Sequence, residues 1–154
     1  VKVNVRAGTR GADEAFVADL ARRTVRSSVS PLRPAPEPLV AGALERLLET
    51  VAGQSHRTLI AECDGERAGF ALLLDELPDD VTAMPQGFIA YMAVEPSVRR
   101  HGVGSALLGA AENEARRCGL LYMALMVSEE NAAALALYER AGYVTERRLL
   151  CKAL

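Results

Sequence analysis

The sequence predicts an α+β fold with one α/β crossover: a mixed, mostly antiparallel sheet of six to seven strands flanked by about four helices. Three observations lead there. Apolar runs at roughly 57–63, 67–75 and 86–94 follow one another with only turn sequences between them, the pattern of consecutive antiparallel strands. A single amphipathic stretch then separates two apolar runs, so one crossover joins a parallel pair. The resulting order, β-α-α-β-β-β-α-β-α-β, lacks the regular alternation of a doubly wound nucleotide-binding sheet.

Each element has a local reason. "VKVNVRAGT" alternates apolar and polar residues, which predicts a strand through about Ala7. In "GADEAFVADLARRTVRSS", Asp13 and Glu14 suit a helix start, and Phe16, Val17, Leu20 and Val25 share a side. "SPLRPAPEP" breaks the pattern with four prolines in eight residues, so it reads as a loop. A second helix, from about Pro38 to Ala52, is expected to bury Leu39, Ala43, Leu47, Leu48 and Val51.

Asp64-Gly65 between apolar runs signals a tight hairpin, and "DELPDD" a longer, acidic turn. A third helix from Val103 to Cys118 stops at Gly119, with Leu107, Leu108, Ala111, Ala115 and Cys118 as its apolar stripe. "LLYMALMV" reads as an interior strand, "NAAALALYERAG" as a short helix and "YVTERRLLCKAL" as one or two closing strands. All of this fits one domain over residues 1–154.

Composition removes several function classes. Half of the 154 residues are apolar, enough for a core, and the net charge of −2 steers the chain toward neither nucleic acid nor an anionic membrane. No apolar run reaches the length of a membrane span, and no signal-peptide pattern opens the sequence, whose first residue is Val1 rather than Met. The three cysteines, Cys63, Cys118 and Cys151, lack CxxC spacing, and only His56 and His101 accompany them, so no metal site is expected. They read as buried or partly buried free thiols of a reducing cytoplasm.

The chemistry concentrates in "VEPSVRRHGVGSALL", Val94 to Leu108. A glycine turn opening a helix binds phosphate because its first amides lack intrahelical partners and the helix dipole is positive there. A P-loop needs a Lys that is absent, and a dinucleotide loop needs a third glycine where Leu107 stands. The remaining pattern, R-x-x-G-x-G at Arg99, Gly102 and Gly104, resembles the acyl-CoA loop of the GNAT superfamily of N-acetyltransferases. "LMVSEENAAALALYERAGY" resembles that family's second motif, at Leu125, Val127, Asn131, Ala134, Leu137, Tyr138, Gly142 and Tyr143.

The resemblance implies an acetyl-CoA-dependent N-acetyltransferase, with a parallel strand pair splayed around the cosubstrate. It implies that Met92, Ala93 and Val94 offer backbone groups to the pantetheine arm. Arg99, Arg100, His101, Gly102, Val103, Gly104 and Ser105 would surround the pyrophosphate, and Asn131 and Tyr138 would reach the site from one face of the short helix. Tyr138 resembles the family's tyrosine beside the thioester sulfur, where a phenol can protonate a departing thiolate.

No general base is assigned: Gln86 stands where many members carry a Glu, and Glu95, Ser128, Glu129 and Tyr91 are the other residues weighed. The acceptor site is expected beside the proline-rich loop. The implied partners are acetyl-CoA and an amine, without nucleic acid or membrane, and the resemblance allows a homodimer. An acyl-CoA-binding or sensing domain that has lost catalysis is the alternative reading.

Overall fold

The computed structural model describes residues 1–154. Five strands form one sheet in sequence order: β1 (Val3–Ala7), β2 (His56–Cys63), β3 (Glu66–Leu74), β4 (Gly87–Val94) and β5 (Met123–Leu125). Four helices flank it: α1 (Ala12–Thr24), α2 (Glu37–Ala52), α3 (Val103–Arg117) and α4 (Ala132–Arg140). β1 to β4 pair antiparallel, and β5 runs parallel to β4, as the crossover through α3 requires.

Period-two alternation divides the core between the two faces of the sheet. Ile60, Phe70, Leu72 and Leu74 face α1 and α2, meeting Val17, Leu20, Leu44 and Val51. Leu59, Ala61 and Ala71 face α3, meeting Val103, Leu107, Leu108 and Ala111. β3 is covered on both faces, which is why "GFALLL" reads as an unbroken apolar run. Complete burial of Phe70 alone stabilises the fold by roughly 2–3 kcal/mol.

Polar residues fasten the N-terminal half. Asp13 is fully buried at the start of α1, where its carboxylate accepts from Arg6 (2.7 and 3.1 Å), Arg67 (2.7 Å) and the Thr9 amide (2.8 Å). These donors hold the carboxyl far below the usual carboxylate range, the Arg6 hydrogen bonds contributing most.

Four expectations are corrected. The sheet has five strands rather than six or seven, because residues 144–154 form no strand. That segment places Thr145, Glu146, Arg147 and Arg148 in a row, so it has no period-two apolar face to drive its docking. Val144, Leu149 and Leu150 are accordingly exposed. On α2 the buried residues are Val40, Leu44 and Val51, while Leu39 and Ala43 lie one helical step off the core and remain exposed. Cys118 falls just beyond α3 and is exposed, outside the stripe assigned to it. Cys151 is exposed with the unpaired tail, leaving Cys63 as the single buried thiol.

Candidate active site

β4 and β5 part company within the sheet. Their pairing covers Gly87↔Met123, Phe88↔Ala124 and Ile89↔Leu125, and there it ends, while β4 continues to Val94. On its other side β4 carries a bulge, since Leu72 pairs Tyr91 and Leu73 pairs Ile89, leaving Ala90 as the extra residue. A bulge bends and twists its strand, so β4 turns away from β5 where the parallel ladder stops. The opening is flanked by Met92 and Val94 on one side and by α4 on the other.

The glycine loop closes the wide end of this opening. β4 leads through Glu95 into a short turn at Pro96–Val98, then to Arg99 and Arg100, both exposed. Gly102 caps α3 at φ 81°, a left-handed conformation that a side chain would strain. No side chain caps α3, and the first intrahelical bond is donated by Ala106 to the Gly102 carbonyl at 3.0 Å. The amides of Gly102, Val103, Gly104 and Ser105 are therefore free for an anion. A Cβ built on Gly104 points into the opening, 3.0 Å from Leu137 Cδ2 and 3.9 Å from Val94 Cγ2. A bare backbone there keeps the passage between β4 and α4 clear.

His101 is exposed, with Nδ1 3.1 Å from the Val98 carbonyl. No cluster of metal-ligating side chains exists anywhere in the chain. The loop, the free amides and the two flanking arginines fit a diphosphate, and the cleft between β4 and α4 fits a narrow arm leading inward from it.

Tyr138 is held by the way α4 ends. The Tyr143 amide donates to the Tyr138 carbonyl (3.0 Å) and the Gly142 amide to the Glu139 carbonyl (3.1 Å), with Gly142 at φ 92°. This is a Schellman cap, and it places the residue after the glycine against the last turn of the helix. The two tyrosine rings meet edge to face at 5.9 Å, and the Tyr143 hydroxyl donates to Glu112 of α3 at 2.9 Å. The sequence "LYERAGY" is thus a device for locking α4 to α3. Burial raises the Tyr138 phenol above its ordinary value, so it stays protonated at neutral pH.

Asn131 begins the same helix. Its Oδ1 accepts from the Ala134 amide at 3.2 Å, so half of its carboxamide is used in capping α4. The structure sets the end of β4, the glycine loop and α4 side by side: the Gly104 Cβ position lies between Val94 and Leu137, and Tyr138 follows Leu137 on the helix that Asn131 caps.

The residues weighed as bases have other partners. Glu95 forms a bidentate pair with Arg23 of α1, at 2.5 and 3.1 Å, which ties α1 to the start of the loop. Ser128 Oγ donates to the Ser28 carbonyl at 2.8 Å. The Tyr91 hydroxyl lies 3.0 Å from Thr24 Oγ1, and burial raises its phenol. Glu129 is exposed and carries no ion-pair partner. In the acidic turn, Asp79 is occupied by Thr82 and by Arg147 of the tail.

The Ala90 bulge, the Arg23–Glu95 pair and the Ser28–Ser128 bond escaped the sequence reading. Each links residues distant in the chain, and no local pattern announces them.

A sequence profile of the acetyltransferase (GNAT) family matches residues 23–143. A mycothiol acetyltransferase of Geodermatophilus obscurus is 36% identical over 69 residues, which are 45% of this chain and 21% of the relative, so the chain spans about a fifth of that protein's length. Among solved structures, a candidate acetyl transferase from Pyrococcus furiosus superposes with a TM-score of 0.84 at 24% identity, covering 99% of this chain and 100% of that one. The aminoglycoside N-acetyltransferase AAC(6')-Iy in complex with CoA superposes with a TM-score of 0.63 at 21% identity, covering 99% and 95%. Those two likenesses speak to the fold, whereas the profile covers both motifs and the elements between them. The chain belongs to the acetyltransferase (GNAT) family.

Proposed function

We propose that this chain is an acetyl-CoA-dependent N-acetyltransferase that passes the acetyl group directly to a primary amine, with no covalent enzyme intermediate. One observation carries the reading: an uncapped glycine loop opens α3 against the helix that carries the half-buried Tyr138, beside the point where β4 and β5 part. Acetyl-CoA would bring an activated thioester and a thiolate leaving group.

The chain's own residues supply the rest. The amides of Gly102 to Ser105 and the side chains of Arg99 and Arg100 hold the diphosphate. The unpaired edge of Met92 to Val94 orients the arm. Tyr138 holds a proton at its hydroxyl for the departing sulfur and regains one from solvent, where the amine sheds its own. Glu95 is paired with Arg23 and the unpaired Glu129 is exposed to solvent, so no dedicated base is assigned and the reaction draws on amine that is already neutral.

Calorimetric titration with acetyl-CoA, CoA, longer acyl-CoAs and NAD tests the donor, and CoA release over an amine panel tests the transfer. Because Cys118 and Cys151 are exposed, a thiol-reagent readout needs a control without acceptor. Binding of acetyl-CoA but not NAD, followed by turnover, is the expected outcome. Binding of NAD alone would overturn the proposal, and CoA binding without turnover of any amine would support a sensing domain instead.

A further inference from the structure

An apolar cavity of about 400 Å³ lies on the α1/α2 face of the sheet. Its walls include Val29 of the proline-rich loop, Leu39, Ala43 and Leu47 of α2, and Ala90 and Tyr91 of β4. Of the eleven lining residues ten are hydrophobic, the Tyr91 hydroxyl is engaged by Thr24, and no wall residue is charged. The volume is within the range of small-molecule sites and corresponds to about a dozen waters at roughly 30 Å³ each. Leu39 and Ala43, the α2 residues expected in the core, face this space instead.

The cavity adjoins the site described above along β4 and through the loop before α4. Ala90 is the bulge residue that turns β4 away from β5, and Tyr91 directly precedes Met92 to Val94. Ser28, in its wall, receives the hydrogen bond from Ser128 in the loop that leads to Asn131 and α4. The glycine loop and Tyr138 approach from the α3 face, and the cavity approaches from the other.

Charge narrows what can sit there. Three acids on the surrounding elements are answered by arginines, Glu37 by Arg26 at 3.0 Å, Glu45 by Arg22 at 3.0 Å and Glu95 by Arg23, while the unpaired Glu49 and Glu129 are exposed and are not wall residues. A ligand with several ammonium groups would bury charges without counterions, which is costly. An apolar body would instead displace water from apolar walls.

We infer that the acceptor is a monoamine with an aliphatic or aromatic body, seated in this cavity with its amino group directed toward the opening between β4 and β5. This deepens the acetyltransferase reading and rests on it. The test compares CoA release with 2-phenylethylamine, leucinamide, spermidine and kanamycin, using wild type and Ala43→Phe. Position 43 is exposed, so Phe fills the cavity without disturbing the core.

The two apolar amines should exceed the polycations at least tenfold in kcat/KM. Ala43→Phe should raise KM for 2-phenylethylamine at least tenfold while the acetyl-CoA Kd by calorimetry stays within twofold. Preference for spermidine or kanamycin, or indifference of 2-phenylethylamine to Ala43→Phe, overturns the inference. Should acetyl-CoA fail to bind, the parent reading falls; equilibrium dialysis of 2-phenylethylamine against both proteins then decides the cavity separately, binding lost in the variant supporting it and no binding to wild type refuting it.

Discussion

Replacing Gly104 with Asp sets two electrostatic effects of opposite sign against each other. The side chain would stand in the first turn of α3 and point between Val94 and Leu137, into the opening. A carboxylate at that end of a helix gains about 0.3–1 kcal/mol from the dipole and the free amides, so the fold should hold or gain slightly. The same carboxylate would compete for those amides and repel a diphosphate. At an effective dielectric of about 20, two like unit charges about 5 Å apart cost about 3 kcal/mol, which is about two decades in affinity.

The expected signature is therefore a thermal midpoint unchanged or raised, with the acetyl-CoA Kd weakened about a hundredfold or more. Calorimetric titration and a melting curve on the same preparation read both. Gly104→Ala separates volume from charge: its Cβ presses only on the flexible end of Leu137 and meets Val94 at an ordinary contact distance, so it should lose much less affinity. A folded Gly104→Asp protein that keeps its Kd within tenfold would refute the loop assignment. A collapsed midpoint would show that the glycine serves packing.

Tyr138→Phe should lower kcat about a hundredfold, as loss of a general acid does, with the acetyl-CoA Kd within about twofold by titration. Because burial raises the phenol, kcat in the wild type should show no loss from its deprotonation below about pH 10, the ordinary tyrosine value. Asp13→Asn should cost about 3 kcal/mol by urea unfolding at pH 7, the low end for a broken buried pair, since the Arg6 and Arg67 side chains are 33% and 40% exposed and can turn to water. The depressed Asp13 carboxyl stabilises the fold fully above its unfolded value of about 4 and loses that contribution as pH falls toward the folded value. The variant should therefore lose less stability than wild type between pH 7 and pH 3. Under native conditions a thiol reagent should titrate Cys118 and Cys151 rapidly and Cys63 only after unfolding.

Much of the site was legible because its parts are local. Gly102 before an apolar helix, Gly142-Tyr143 after one, and Asn131 at a helix start each work within a few residues, through caps and free amides that sequence spacing specifies. The antiparallel hairpins were legible for the same reason, since Asp64-Gly65 sets the β2–β3 turn within two residues. The strand count and the buried face of α2 were not. Whether residues 144–154 join the sheet depends on an edge offered by β5, and Leu39 differs from Val40 only in what stands opposite.

The donor side of this protein was thus written in short-range pattern. For the proposed acceptor cavity the sequence pointed only to the proline-rich loop, and the fold decided the rest, because the cavity is assembled from a bulge in β4, one face of α2 and a loop tied across the sheet by Ser28 and Ser128. Backbone amides at a helix start are aligned by contacts a few residues away, whereas a cavity is the space left between elements, and its shape follows from how they pack.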